Sequence, residues 1–162
     1  MASEGYRYTG DVDGTGMRVA IACGRFNDHV TSRLLAGARR GLAEHGVDEA
    51  SIAEVWVPGA FELPLVAKRL AASGEFDAVV CIGAVIRGDT PHFEYVSSQC
   101  AAGIMRAQLD TDVPVAFGVL TTDDLDQAMA RAGMDPGTDN KGFEAAMTAI
   151  EMVDLLRQLP KA

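Results

Sequence analysis

Basic charge is scarce in this chain of 162 residues: 14 lysines and arginines stand against 23 aspartates and glutamates, a formal net charge of -9. A surface of that sign repels a phosphodiester backbone, so no nucleic-acid partner is expected. Any bound anion must be held by a few local cations and backbone dipoles. Long apolar runs are absent too, and nothing approaches the length of a membrane span. The first residues, Met1 to Gly5, carry neither the basic nor the hydrophobic part of a signal peptide, so the expected setting is cytoplasmic, with no membrane partner. Cysteine is sparse and odd in number. Cys23, Cys81 and Cys100 lie in apolar stretches without metal-ligand spacing, which reads as reduced core thiols and no bound metal. There is no Walker-type Gly/Lys/Ser loop and no dinucleotide fingerprint. Internal repeats, low-complexity segments and a second domain are likewise missing. Residues 1–162 therefore read as one domain, with residues 1–16 as an N-terminal arm.

What is present is an ordinary globular composition, 48% hydrophobic and 23% charged, arranged as alternating strand-like and helical stretches. Strands are expected at residues 17–23, 51–56, 78–84 and 114–120. Helices are expected at 28–45, 65–72 and 91–109, with a short one ending near Gly133 and a last one over 140–159. Val30, Leu34, Ala38 and Leu42 share one helical face, as do Val96, Cys100, Ile104 and Ala107. Parallel strands need crossovers, so this order implies an α/β fold: a four-stranded parallel sheet covered by helices on both faces. Tyr6-Arg7-Tyr8 alternates like an edge strand that pairs with a neighbouring subunit.

The segments that follow the strands are the informative part. After the first comes Phe26-Asn27, an aromatic face beside an amide, and after the second Ala60-Phe61-Glu62, in a tight turn. Phe117 is expected near the end of the fourth strand. Open α/β sheets bind ligands at the C-terminal edge of their strands, so these groups can share one crevice. Taken singly, each phenylalanine is more simply a core residue and Glu62 a solvated one. Together they suit a flat, polyhydroxylated heterocycle, by stacking and by hydrogen bonds to its edges. The third strand leads into Gly88-Asp89-Thr90-Pro91-His92, with Thr90 and Pro91 at the expected N-cap and first-turn positions of a helix. Free N–H groups in such a turn form an anion site. The positive end of the helix dipole disfavours imidazolium, which keeps His92 able to accept a proton.

Six segments in one order, Arg25-Phe26-Asn27, the run from Val57 to Pro64, Gly88-Asp89-Thr90-Pro91-His92-Phe93-Glu94-Tyr95, Phe117-Gly118-Val119-Leu120-Thr121, Arg131-Ala132-Gly133 and Asn140-Lys141-Gly142, resemble the lumazine synthase family. The resemblance runs from about Arg18 to Leu156. It implies a flavodoxin-like three-layer α/β/α sandwich. It also implies condensation of 5-amino-6-(D-ribitylamino)uracil with 3,4-dihydroxy-2-butanone 4-phosphate, the penultimate step of riboflavin biosynthesis. Carried over by motif, Phe26 stacks on the pyrimidine beside Asn27, and Ala60, Phe61 and Glu62 hold its ribityl chain. Ala84, Val85 and Ile86 line the pyrimidine edge, and Phe117 comes from the adjacent subunit. Asp89 and Thr90 bind phosphate with the neighbour's Arg131. His92 transfers the proton, and Lys141 is a further site cation. The expected partners are two small-molecule substrates and further copies of the chain, with active sites between subunits.

None of the implied steps needs a metal or redox cofactor. The alternatives are an archaeal-type riboflavin synthase and a non-catalytic flavin- or lumazine-binding module; the phosphate turn and Arg131 favour the phosphate-releasing enzyme. Residues 134–139 lengthen the link before the last helix. In this family longer links accompany isolated pentamers and shorter ones capsids, so a homopentamer is expected and a sixty-subunit shell is the alternative. Ser97, Ala101 and Gly103 are expected to permit close packing near the five-fold axis. Asp11-Val12-Asp13-Gly14-Thr15 mimics a phosphatase nucleophile motif but precedes the first strand instead of ending one. Arg87-Gly88-Asp89 spells an adhesion tripeptide by coincidence, and His29 and His45 read as surface residues of the first helix.

Overall fold

A computed structural model of the chain describes residues 5–161, so residues 1–4 of the stretch read above for a signal lie outside the described residues. Four strands, β1 (Val19–Gly24), β2 (Ile52–Val57), β3 (Ala78–Ile86) and β4 (Val115–Thr122), form one parallel sheet in the order β2-β1-β3-β4. The two central strands are apolar along almost their whole length because helices cover both of their faces. Helices α1 (Asp28–Glu44) and α5 (Lys141–Gln158) lie on one face, and α2 (Leu63–Ala72) and α3 (His92–Thr111) on the other. The short α4 (Leu125–Ala130) follows β4, its N-terminus capped by Asp124, which accepts from Gln127 N. This is the expected flavodoxin-like sandwich.

Alternation along each strand splits the interior in two. Ile21, Val80 and Ile82 meet Leu34, Leu42 and Ile150, while Ala22, Val79 and Cys81 meet Leu63, Cys100 and Ile104. All four residues of the α1 stripe, Val30, Leu34, Ala38 and Leu42, are fully buried. The cysteines are free and buried, and burial pushes the Cys23 and Cys100 thiols up to about 12 and about 11 respectively, with Cys81 raised further. A thiol so desolvated stays protonated and unreactive.

Several boundaries move for identifiable reasons. β3 runs two residues past its expected end because its ladder with β4 continues through Val85↔Thr121 to Ile86↔Thr122. Helix α2 starts earlier, at Leu63, since Pro64 in the first turn has no N–H to leave unpaired. At α3 neither Asp89 nor Thr90 caps the helix with a side chain. Pro91 itself occupies the cap position, and Glu94 N closes the turn on Pro91 O at 3.1 Å. His45 corrects its surface reading: half-buried at the end of α1, its Nδ1 lies 2.6 Å from Gly41 O and its ring meets Phe143 edge-on. Gly103 faces Pro64 of α2 within the same chain, where a Cβ would sit 2.6 Å from the proline ring, so its smallness serves α2–α3 packing.

The N-terminal stretch forms no strand among the described residues. Tyr6 and Tyr8 stack on each other with ring centroids 6.5 Å apart, and residues 9–11 are tied to α5 by Gln158 Nε2 donating to Thr9 O and Asp11 N donating to Asp154 Oδ2. Asp13 accepts from both the N–H and the hydroxyl of Thr15, which accounts for the phosphatase-like motif as a local turn.

Candidate active site

Bonds that prolong the sheet carry Phe26 to the rim. Arg25 N donates to Val57 O at 2.8 Å and Phe26 N to Pro58 O at 3.0 Å, holding the exit of β1 against that of β2. Phe26 is 74% exposed, Phe61 59% and Phe117 46%, so the core reading of these three rings fails. Asn27 follows in the left-handed region at φ 62°, a conformation asparagine tolerates, and its Nδ2 donates to Ala84 O at 2.9 Å. That bond spans from the exit of β1 to β3 and leaves Oδ1 as the free acceptor of the amide. The close approach of the two exits falls on Gly24, where a Cβ would stand 3.3 Å from Gly59 C; at Gly59 itself a Cβ would make only ordinary contacts, 3.4 Å from Glu62 Oε2 and 3.7 Å from Phe26 Cβ.

These exits enclose a hollow of about 700 Å³. It gathers Phe26, Asn27, Ala60, Phe61, Glu62, Ala84, Val85, Ile86, Thr90 and His92, ten of the residues expected at the site. Ala84 and Val85 form a buried floor, Phe26 and Phe61 an exposed rim, and His92 stands at the first position of α3. Asp89 is exposed and does not line the hollow, and no lysine or arginine does. Gly88, expected in the phosphate turn, lines the hollow as well, whereas sequence reasoning missed Pro58, Phe93, Tyr95 and Val96 as walls. Their signal was adjacency: Phe93, Tyr95 and Val96 share the first turns of α3 with His92.

Phe117, Arg131 and Lys141 line a different hollow of about 450 Å³ beside β4, together with Thr121, Glu144 and Thr148. Phe117 is the third residue of β4, opposite Cys81, and not near the strand's end as expected. The ladder through Thr122 places five further residues beyond it, on the edge of the sheet. Arg131 Nη1 donates to Gln127 O at 2.9 Å. Lys141 Nζ lies 2.8 Å from Glu144 and 3.4 Å from Asp139, and the Glu144 carboxylate holds its ammonium charged more firmly than usual.

Asn140 holds this second hollow in place. Buried at the head of α5, its Oδ1 accepts from Phe143 N while Nδ2 donates to Arg33 O and Gly133 O. Gly133 N donates to Asp139 O, so residues 134–139 form an excursion closed at its neck.

The family model for 6,7-dimethyl-8-ribityllumazine synthase matches residues 16–157, which include all four strands and both hollows. The chain belongs to the 6,7-dimethyl-8-ribityllumazine synthase family. The 6,7-dimethyl-8-ribityllumazine synthase of Syntrophus aciditrophicus (strain SB) is 62% identical over 144 residues, covering 89% of this chain and 92% of that relative. For a lumazine synthase fold the consequence of the geometry is plain: the proton-transfer candidate and the cations lie in separate hollows of one chain.

Proposed function

We propose that this chain condenses 5-amino-6-(D-ribitylamino)uracil with 3,4-dihydroxy-2-butanone 4-phosphate to 6,7-dimethyl-8-ribityllumazine, in sites completed by a neighbouring copy. Family membership favours this reading over a riboflavin synthase or a binding module. The observation that carries it is the division of parts. A phosphorylated substrate needs cations, and the hollow with His92 has none in its lining, while Arg131 and Lys141 stand beside the exposed Phe117 in the other. A head-to-tail ring of copies sets one hollow against the other.

In this reading Phe26 stacks on the pyrimidine, which Asn27 Oδ1 and the Ala84–Ile86 backbone meet at its edge, and Ala60, Phe61 and Glu62 take the ribityl hydroxyls. Thr90 and the turn's N–H groups hold phosphate with the neighbour's Arg131, Asp89 contributing through its backbone, and Lys141 adds a second positive charge. The pyrimidine amine attacks the ketone and loses water to form an imine. His92 accepts the proton from the adjacent carbon as the C–O bond to phosphate breaks. The ribityl-bearing nitrogen then closes the second ring with loss of the second water. Acid–base help supplies about 10²–10⁴-fold, so orientation of the two reactants carries much of the rate.

Mixing the two substrates tests this: phosphate and the lumazine should appear together in equal amounts, whereas a binding module releases none and a riboflavin synthase consumes lumazine. The assembly proposed is a cytoplasmic homopentamer. Five chains of 17.1 kDa scatter light as a particle near 85 kDa, and a megadalton shell would overturn it. No helix among the described residues is long and apolar enough to cross a membrane.

A further inference from the structure

Arg87 is read in the sequence as part of a chance tripeptide, yet it makes more contacts across the phosphate turn than any residue within it. Its N–H donates to Thr122 O at 2.8 Å, one bond past the strand's last residue. Its Nε donates to Asp123 Oδ1 at 3.0 Å, its Nη1 to Glu94 Oε1, and its guanidinium lies over the Phe93 ring, 4.3 Å from the centroid. One side chain therefore joins the end of β3, the loop after β4 and the first turn of α3. The segment it spans, residues 88–91, has little to hold it. Nothing lies within 4 Å of where a Cβ on Gly88 would be, α3 has no side-chain cap, and His92 N meets Thr90 Oγ1 at a long 3.4 Å. Unpaired N–H groups are what an anion requires, but a turn so loosely tied costs ordering entropy each time it binds.

We infer that Arg87 is a positioning residue: by bridging Asp123, Glu94 and Phe93 it fixes the span between β3 and α3, and so the place of the phosphate turn and of His92. The inference rests on the function proposed above. Two carboxylates compensate the guanidinium, so Arg87 is not itself the phosphate ligand. Only a planar fork with a stackable face serves two carboxylates and a ring together, which an ammonium does not.

Steady-state kinetics with each substrate varied in turn test the role. Arg87→Gln should raise KM for the butanone phosphate about tenfold while changing the pyrimidine KM less than about twofold, and Arg87→Lys should recover only part of the loss. The Glu94→Gln/Asp123→Asn double variant is decisive. Positioning predicts weaker binding of the phosphorylated substrate, in the same direction as Arg87→Gln. A ligand role predicts tighter binding, because the double variant frees the arginine's charge, and that result overturns the inference. So does a lowered Tm with both KM values unchanged, the mark of a purely structural residue. If Arg87→Gln fails to fold, the single carboxylate variants carry the test, since both side chains are more than half exposed, and each should raise the same KM by a smaller factor. A wild-type chain that releases no phosphate sinks the proposed function; active wild type with unmoved KM values in all variants sinks only the role of Arg87.

Discussion

The hollow at the ends of β1, β2 and β3 and the hollow beside β4 are built from opposite materials. The first has a buried aliphatic floor, an exposed aromatic rim, a histidine and an open turn, with no lysine or arginine in its lining. The second has Arg131, Lys141 and one outward phenylalanine, but no histidine. Each lacks what the other holds, although strands β1 to β4 belong to one sheet. A monomeric enzyme would be expected to bring acid–base group and cations together at the same sheet edge. Their separation, together with large exposed rings at both places, supports the proposal that the unit of function is a pair of chains.

The largest effect to expect comes from separating the two halves deliberately. Arg131→Ala should lower turnover by roughly 10²–10³, the scale for removing a charged group that meets developing negative charge. Chains with Arg131→Ala mixed with chains carrying His92→Ala, dissociated and reassembled, should regain activity at about one quarter of sites under random assortment in a head-to-tail ring. Mixed oligomers that form and stay inactive would show that both groups act within one chain. Next in size is His92→Ala alone, which should reduce turnover by roughly 10–10³ and leave pyrimidine binding nearly intact. Unchanged single-turnover rates would remove His92 from the mechanism.

Phe26→Ala sharpens the comparison from the other side. Stacking of a base on an aromatic ring is worth about 1–3 kcal/mol, so the pyrimidine KM should rise roughly 5–150-fold while the KM for the butanone phosphate stays put. If both KM values rise together, the rim shapes the hollow as a whole and does not face one substrate.

The parts of this site differ in how legible they were. The α1 stripe follows from periodicity alone, because burial of Val30, Leu34, Ala38 and Leu42 needs only a helix and a core. Phe26 and Phe61 carry no mark of exposure in the sequence; the shared place of their loops in the topology was the usable signal. Val85 and Ile86 looked like turn because glycine and aspartate follow, whereas pairing with Thr121 and Thr122 keeps them in the strand. The same pairing lengthens β4 and moves Phe117 away from its end. Arg87 was illegible for a similar reason: Asp123, which fixes its side chain, lies 36 residues away across the sheet.

The smallest effect is acid sensitivity in the turn that only the first hollow possesses. Hydrogen bonding to Arg87 holds the Glu94 carboxyl below its ordinary value, and the pair is open enough to solvent for salt to screen it. A carboxylate with a depressed folded-state pKa stabilises the fold above its unfolded value and loses that contribution as pH falls through the folded value. Lowering the pH through and below the ordinary carboxylate range should therefore raise the KM for the butanone phosphate slightly in the wild type, before global unfolding. Glu94→Gln should remove that acid-side rise, because its amide has no proton to gain there. High salt should shrink the wild-type dependence as well. The pyrimidine KM, which the proposed function assigns to Phe26 and the Ala84–Ile86 edge, should not follow this titration. An acid-side rise of equal size in Glu94→Gln would place the titrating group elsewhere, and the loop after β4, with Asp123 as the guanidinium's other carboxylate, would then be the next place to substitute.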